Sequence, residues 1–522
     1  MVATDVTNWV PNFTLTKQVD HRILSHIPTG QLTWRMPTSG DEISWGTSPA
    51  HVFQGPHAIW QVRVTDATIL AQADSSPFVA TKAYGNGQFI YDGAMQPLIG
   101  HGGWAPGMYA YAIFRKAIEW AFDMNREPVP KLSPWPFQYN AALMVRHDLE
   151  NYGSEITNIE ASALVEFTNG VKGEYYFCTG TLREEVPDTN SAIAGLRRAV
   201  SNYGATIGSH NGGLRNPINP SLVLPNYEYW HWGPDEALNS DVTALGYPNG
   251  KSYAFTSISN SFIDLETWLS GTSNFGRSFV GCHFNATRED SYDVLNRLGN
   301  KTVGDQKLSP FPHWTVSTRT SGLRYPMLTL PVSDWFVGTQ VSQALENGHT
   351  ADTLHNAIDF YYGMGALVNL YSHTLSTGQG GAGALTPEYI TYSMNTNVHP
   401  RLWPANAGAI YGWWLQRSNA QVSATFSTNG TQFITTLGIS GATDPTTCVE
   451  VVVPVSYSFL NLAVFTNGVR LSAGSRRSPG HCACSSFYSA AHRRKLIVFP
   501  GPFDLVPPCN QACTRVQMPV FH

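Results

Sequence analysis

Between residues 137 and 418 short apolar runs alternate with stretches of helical spacing. "AALMV" (141–145) precedes "EASALVEFTN" (160–169), and "EYYF" (174–177) precedes "AIAGLRRAVSNY" (192–203). "ATIGS" (205–209), "SFVGC" (278–282) and "DSYDVLNRLG" (290–299) continue the series, which "LHNAIDFYYGMGA" (354–366) and "LVNLYS" (367–372) close. In the second helical stretch Ile193, Leu196 and Val200 fall on one side, as an amphipathic helix requires. Repeated strand–helix units predict an α/β fold with a parallel sheet, open or closed into a (β/α) barrel. In such folds chemistry gathers at the carboxyl ends of the strands.

The flanks read differently. With 522 residues the chain exceeds one ordinary core, and roughly two to four domains are expected. Residues 1–130 hold a strand, "GQFIYDGA" (87–94), and a helix, "YAYAIFRKAIEWAF" (109–122). "NREPVPKLSPWP" (125–136) reads as a Pro-rich linker. Residues 420–470 alternate around an Asn-Gly turn and predict a small β-sandwich. Residues 471–522 are basic, rich in Cys and Pro and without period, so an irregular tail is expected.

A net charge of −5 gives no reason to expect nucleic acid or an anionic membrane as partner. No apolar run reaches the ~18 residues of a membrane span. The opening "MVATDVTNWV" lacks the pattern of a signal peptide, while sequons at Asn12, Asn285, Asn300 and Asn429 permit secretion. The abundance of Trp, Tyr and Gly is common in secreted proteins that face carbohydrate. Of seven cysteines, four crowd the tail as C-x-C and C-x3-C, which matches no usual zinc module. Cys178 is expected as a small core residue.

The strand ends carry the candidate chemistry. The first runs into "RHDLEN" (146–151), the third into "IGSH" with His210, and the last into "NLYSHT" with His373. His231 follows in "WHWGPDEAL", "LPVSDW" brings Trp335, and "GCHFNATRED" brings Asn285 and Arg288. One carboxylate and two imidazoles suit an open site for Zn²⁺ or a similar divalent ion. A third histidine beside such a site suits proton donation to a leaving amine. Asn285, Arg288 and Trp335 are the candidate substrate contacts, with loop structure or core packing as their other reading.

In that order, "RHDLEN", "IGSH", "LPVSDW" and "VNLYSHT" resemble the motifs of the polysaccharide deacetylases, the NodB-homology carbohydrate esterases. The likeness covers residues of about 110–465 and is nearest to the galactosaminogalactan type of moulds. It implies a barrel-like deacetylase domain over 137–418, acting on a secreted or cell-wall polysaccharide with N-acetylated amino sugars. It also implies Asp148, His210 and His231 as ligands of a divalent metal, zinc before cobalt or nickel, with Asp148 or Glu150 as base and His373 as acid. One departure from the family pattern is Leu214, which stands where a second histidine is expected. The strand and helix of residues 87–122 resemble the closing unit of glutamine-amidotransferase-like domains and imply a partial α/β domain. Two other readings stay open: a glycan-binding protein with a decayed site, and a glycoside hydrolase using Asp148 and Glu236.

Overall fold

The computed structural model describes residues 9–10, 13–25, 31–35, 51–54, 59–60, 62–85, 87–93, 108–149, 156–210, 212, 250–281, 289–304, 309–317, 320–332, 351–372, 386–428, 432–452, 463–466, 469–471, 486–490, 493–498 and 512–519. The chain divides into two compact units, residues 1–112 with 141–411 and residues 113–140 with 412–522.

The first unit is organised by an eight-stranded sheet. Its order is His313–Val316, Arg324–Thr329, Thr302–Val303, Ser278–Phe279, Thr206–Ser209, Gly173–Phe177, Val145–Leu149 and Tyr371–Ser372. Every join is parallel except the first, which is antiparallel. Helices Ile159–Thr168, Thr189–Tyr203, Gly250–Trp268, Glu289–Arg297 and Ala351–Met364 alternate with these strands. This is the expected α/β pattern. Among the described residues no ladder joins the two edges of the sheet into a closed barrel. Two single contacts approach it: Leu367 donates its N–H to Pro310 O, and Asn369 Nδ2 donates to Pro331 O.

Leu149, Tyr175, Phe177 and Ile207 pack on the outer face against Ile159, Ala163, Leu196, Ala199 and Leu265 of the helices. Helix Thr189–Tyr203 shows why its sequence stops where it does. Asp188 caps its start by accepting from Ser191 N, and Gly204 ends it with φ +67°, a left-handed turn that favours glycine.

The same unit contains a six-stranded sheet, with Thr68–Ala73, Ser76–Tyr84 and Gly87–Asp92 as an antiparallel run at one side. Strand Gly87–Asp92 and helix Met108–Met124 form where expected. The sheet that contains this strand has one parallel join, between Gln31–Arg35 and His51–Gln54, so the described residues of that sheet lack the repeated βα units of an amidotransferase-like domain.

The second unit corrects two expectations. The segment read as a linker contains strand Val129–Leu132, paired along its length with Val449–Val452. It is an edge strand, which is where a sheet tolerates Pro130. Trp135 is fully buried, edge-on to Trp414, and Trp413 Nε1 donates to Pro134 O. The tail read as irregular contains strands Ser486–Ala490, Arg493–Val498 and Ala512–Pro519. Ala512–Pro519 lies between Gln432–Ser440 and Ala463–Thr466, pairing with both. Its order comes from two waiting strand edges rather than from a local pattern. The hairpin Gln421–Thr428 with Gln432–Ser440 forms as read, but its sheet extends through the tail, beyond the expected limit at 470.

Candidate active site

Strand Val145–Leu149 is buried on both faces, so its alternation decides which groups meet. Val145, His147 and Leu149 face the helices. His147 Nε2 lies 2.5 Å from Glu166 Oε1 of helix Ile159–Thr168, and its ring stacks on Tyr175 at 4.9 Å. Tyr175 in turn donates its hydroxyl to Glu166. His147 is therefore a tie between strand and helix, turned away from Asp148.

Arg146 and Asp148 face the opposite way and form a closed pair. Arg146 Nε donates to Asp148 Oδ1 at 2.7 Å, and Nη2 donates to Oδ2 at 2.6 Å. Both residues are almost fully buried, at 1% and 3% exposure, so each charge depends on the other. Arg146 Nη1 donates to Gly304 O at 3.3 Å. A Cβ on Gly304 would stand 2.4 Å from that nitrogen, which is why glycine occupies the position.

The same face carries further polar groups on the neighbouring strands. The register aligns Arg146 with Glu174 and Thr206, and Asp148 with Tyr176 and Gly208. The Tyr176 hydroxyl is 2.8 Å from Ser278 Oγ, which is 2.6 Å from Thr302 Oγ1. A Cβ on Gly208 would meet the Tyr176 ring at 2.4 Å, so only glycine lets the ring lie across that strand. Glu174 accepts from the backbone N–H of Ala407, from Thr206 and, at 3.5 Å, from Tyr176. Burial pushes the Glu174 carboxyl up to about 8, against the pull of these donors and of Arg146.

His210 follows Ser209 at the carboxyl end of its strand, 3% exposed, with its N–H on Phe177 O. It stands two residues beyond Gly208, so alternation puts it on the Asp148 face. The two strands are next but one to each other, about 10 Å apart at ordinary spacing. His210 Nδ1 lies 2.8 Å from Val280 O. A carbonyl only accepts, so Nδ1 carries a proton, which is the orientation in which a histidine would turn Nε2 to a metal.

Of the expected site residues, Asp148 and His210 are thus described and share one face and one end of the sheet. Glu150, His231, Asn285, Arg288, Trp335 and His373 lie outside the described residues, as does Glu236 of the glycosidase reading. Among the described residues no three His, Cys, Asp or Glu side chains converge to hold a metal ion. Asp148 and His210 are the oxygen and nitrogen donor types that such a metal set uses, and further ligands would have to come from elsewhere.

The strand that leads to His373 is fixed by a tyrosine. Between Leu367–Val368 and Tyr371–Ser372 the ladder breaks, and Tyr389 fills the gap. Its hydroxyl accepts from Leu370 N at 3.2 Å and donates to Met144 O at 3.0 Å. Cys178 is buried, as expected of a small core residue.

Sequence reasoning passed over Arg146, Glu174 and Tyr176. The signal for the first was parity: a residue two before an acid in a strand shares its face. "EYYF" hid the other two, because an acid beside three aromatics reads as a core strand with a polar edge.

No family model matches this chain, and no curated protein does. The galactosaminogalactan type therefore has no counterpart at the level of sequence. Among solved structures the chain is similar to a candidate polysaccharide deacetylase from Mycobacterium smegmatis, at 14% identity and TM-score 0.35, over 54% of this chain and 94% of that one. It is similar to a candidate glycoside hydrolase/deacetylase from Parabacteroides distasonis, at 9% identity and TM-score 0.37, over 61% and 86%. A third is a CE4 family pseudoenzyme from Bacillus anthracis, at 9% identity and TM-score 0.28, over 52% and 65%. No described helix is long and apolar enough to cross a membrane.

Proposed function

We propose that this chain is a divalent-metal-dependent hydrolase that removes N-acetyl groups from a secreted or cell-wall amino-sugar polysaccharide. The observation that supports the reading is that Asp148, clamped by Arg146, and His210 stand on one face near the carboxyl end of the sheet. The order of strand-end motifs supports it.

In this reading Asp148 and His210 hold the metal, with His231 as the third ligand, and zinc suits their nitrogen and oxygen donors best. A bound zinc would supply a Lewis acid and a water of lowered pKa. The chain's own groups do the rest. Arg146 fixes the plane of the Asp148 carboxylate and compensates its charge. Asp148 or Glu150 takes a proton from the attacking water. His373 holds a proton for the departing amine. Asn285, Arg288 and Trp335 contact the sugar.

The test is release of free amine from N-acetylated amino-sugar polymers by purified protein with added Zn²⁺ or Co²⁺, paired with metal analysis. His210→Ala should lose the metal. His373→Ala should keep it and lose about 10²–10⁴-fold in turnover, the usual contribution of a proton donor. Parent protein that binds such a polymer and never releases amine would replace the hydrolase reading with glycan binding.

A further inference from the structure

Two carboxyls flank one guanidinium on the inner face of the sheet. Arg146 is in register with Glu174, yet it gives Nε and Nη2 to Asp148 and Nη1 to Gly304 O. Glu174 is fully buried and is held by Ala407 N–H, at the start of helix Ala407–Arg417, and by Thr206 and Tyr176. We propose that Glu174 is a positioning residue for Asp148, a second carboxyl in register with Arg146 that is kept from it by its own hydrogen bonds. The inference rests on the deacetylase reading only for what Asp148 does.

The charges explain why the arrangement needs a proton on Glu174. Among the described residues, the charged or titratable groups that act on Glu174 from its own face are Arg146 on the adjoining strand and Tyr176 on its own, with Asp148 beyond Arg146 and Tyr175 turned to the outer face. Both tyrosines are pushed well above their ordinary range by burial and by the nearby carboxylates, so they stay neutral. With Glu174 protonated, the buried face holds one cation and one anion. With Glu174 ionised, it holds two anions and one cation, and the guanidinium is pulled towards its register neighbour. The Asp148 fork then loosens. Burial keeps Glu174 protonated at neutral pH, and alkaline pH brings the competition on.

Glu174→Gln separates positioning from scaffolding, because the amide keeps an acceptor for Ala407 N–H and never ionises. The readouts are turnover and KM on an acetylated amino-sugar polymer at pH of about 6.5 and about 9.5, metal content, and crystal structures of the parent at both pH values. Turnover of the parent should fall at the alkaline pH. Glu174→Gln should raise the alkaline-to-neutral turnover ratio about tenfold, with KM and metal content unchanged. In the alkaline parent structure Arg146 should turn from Asp148 towards Glu174. An alkaline ratio equal to the parent's overturns the proposal. So does an alkaline parent structure with both Arg146–Asp148 bonds intact, whether or not the protein is active. A parent inactive on every polymer would defeat the deacetylase reading alone, and the two crystal structures would still decide the competition.

Discussion

Removing the Asp148 carboxyl would strand a buried guanidinium, and this sets the residue-scale expectation. Asp148→Ala should destabilise the first unit by about 3–5 kcal/mol, the usual cost of breaking a buried ion pair. A urea titration followed by fluorescence would measure it, and a loss below about 1 kcal/mol would show that water reaches Arg146. Gly208→Ala should also destabilise, by about 1–3 kcal/mol, because its methyl would overlap the Tyr176 ring. The same titration of Gly208→Ala checks this. Tolerance of Gly208→Ala without loss would mean that the ring can move off the strand.

At the scale of elements, the hydroxyl of Tyr389 replaces a missing piece of ladder. Tyr389→Phe keeps the ring and leaves Leu370 N–H and Met144 O without it, so a cost of about 1–3 kcal/mol is expected. Hydrogen exchange at Leu370 should quicken in this variant, and unchanged protection there would count against the stitch. Helix Met108–Met124 offers a pH test. Burial alone would raise the Glu119 carboxyl, but Lys116, Arg115 and Lys131 outweigh it and hold the group down to about 2. A depressed acid stabilises the fold above its unfolded value and loses that contribution as pH falls through the folded one. The melting temperature of the second unit should therefore decline between pH of about 4.5 and about 2, and Glu119→Gln should flatten that decline. An identical acid limb in Glu119→Gln would assign the loss to other carboxyls.

For the whole molecule, the decisive segment is the last one. Ala512–Pro519 is interior to a five-stranded sheet, with a strand on either side. Deleting residues 472–522 would leave three strand edges unpaired, on Gln432–Ser440, Val449–Val452 and Ala463–Thr466. The truncated protein should aggregate, as size-exclusion chromatography would show. A soluble, cooperatively melting truncation would refute the pairing. Val129–Leu132 likewise joins a sheet whose other strands begin over three hundred residues later, so the second unit draws on both sides of the βα region.

The sequence by itself determined the βα alternation of residues 137–418, because period and length are local properties of a helix face or a buried strand. It also placed His210 just after a strand and Asp148 close to the end of one, although the strand runs on through Asp148 to Leu149. Only the tertiary structure decided what those residues meet. Register made Glu174 the neighbour of Arg146, and alternation turned His147 towards Glu166, away from Asp148. Neither is readable without knowing which strand lies beside which. The linker and tail were missed for the same reason: "VPKL" and "ACTRVQMP" have weak patterns of their own and become strands against edges supplied by distant segments. Local periodicity writes elements into a sequence, but pairing between strands depends on contacts across long chain separations, and those are settled only when the sheet assembles.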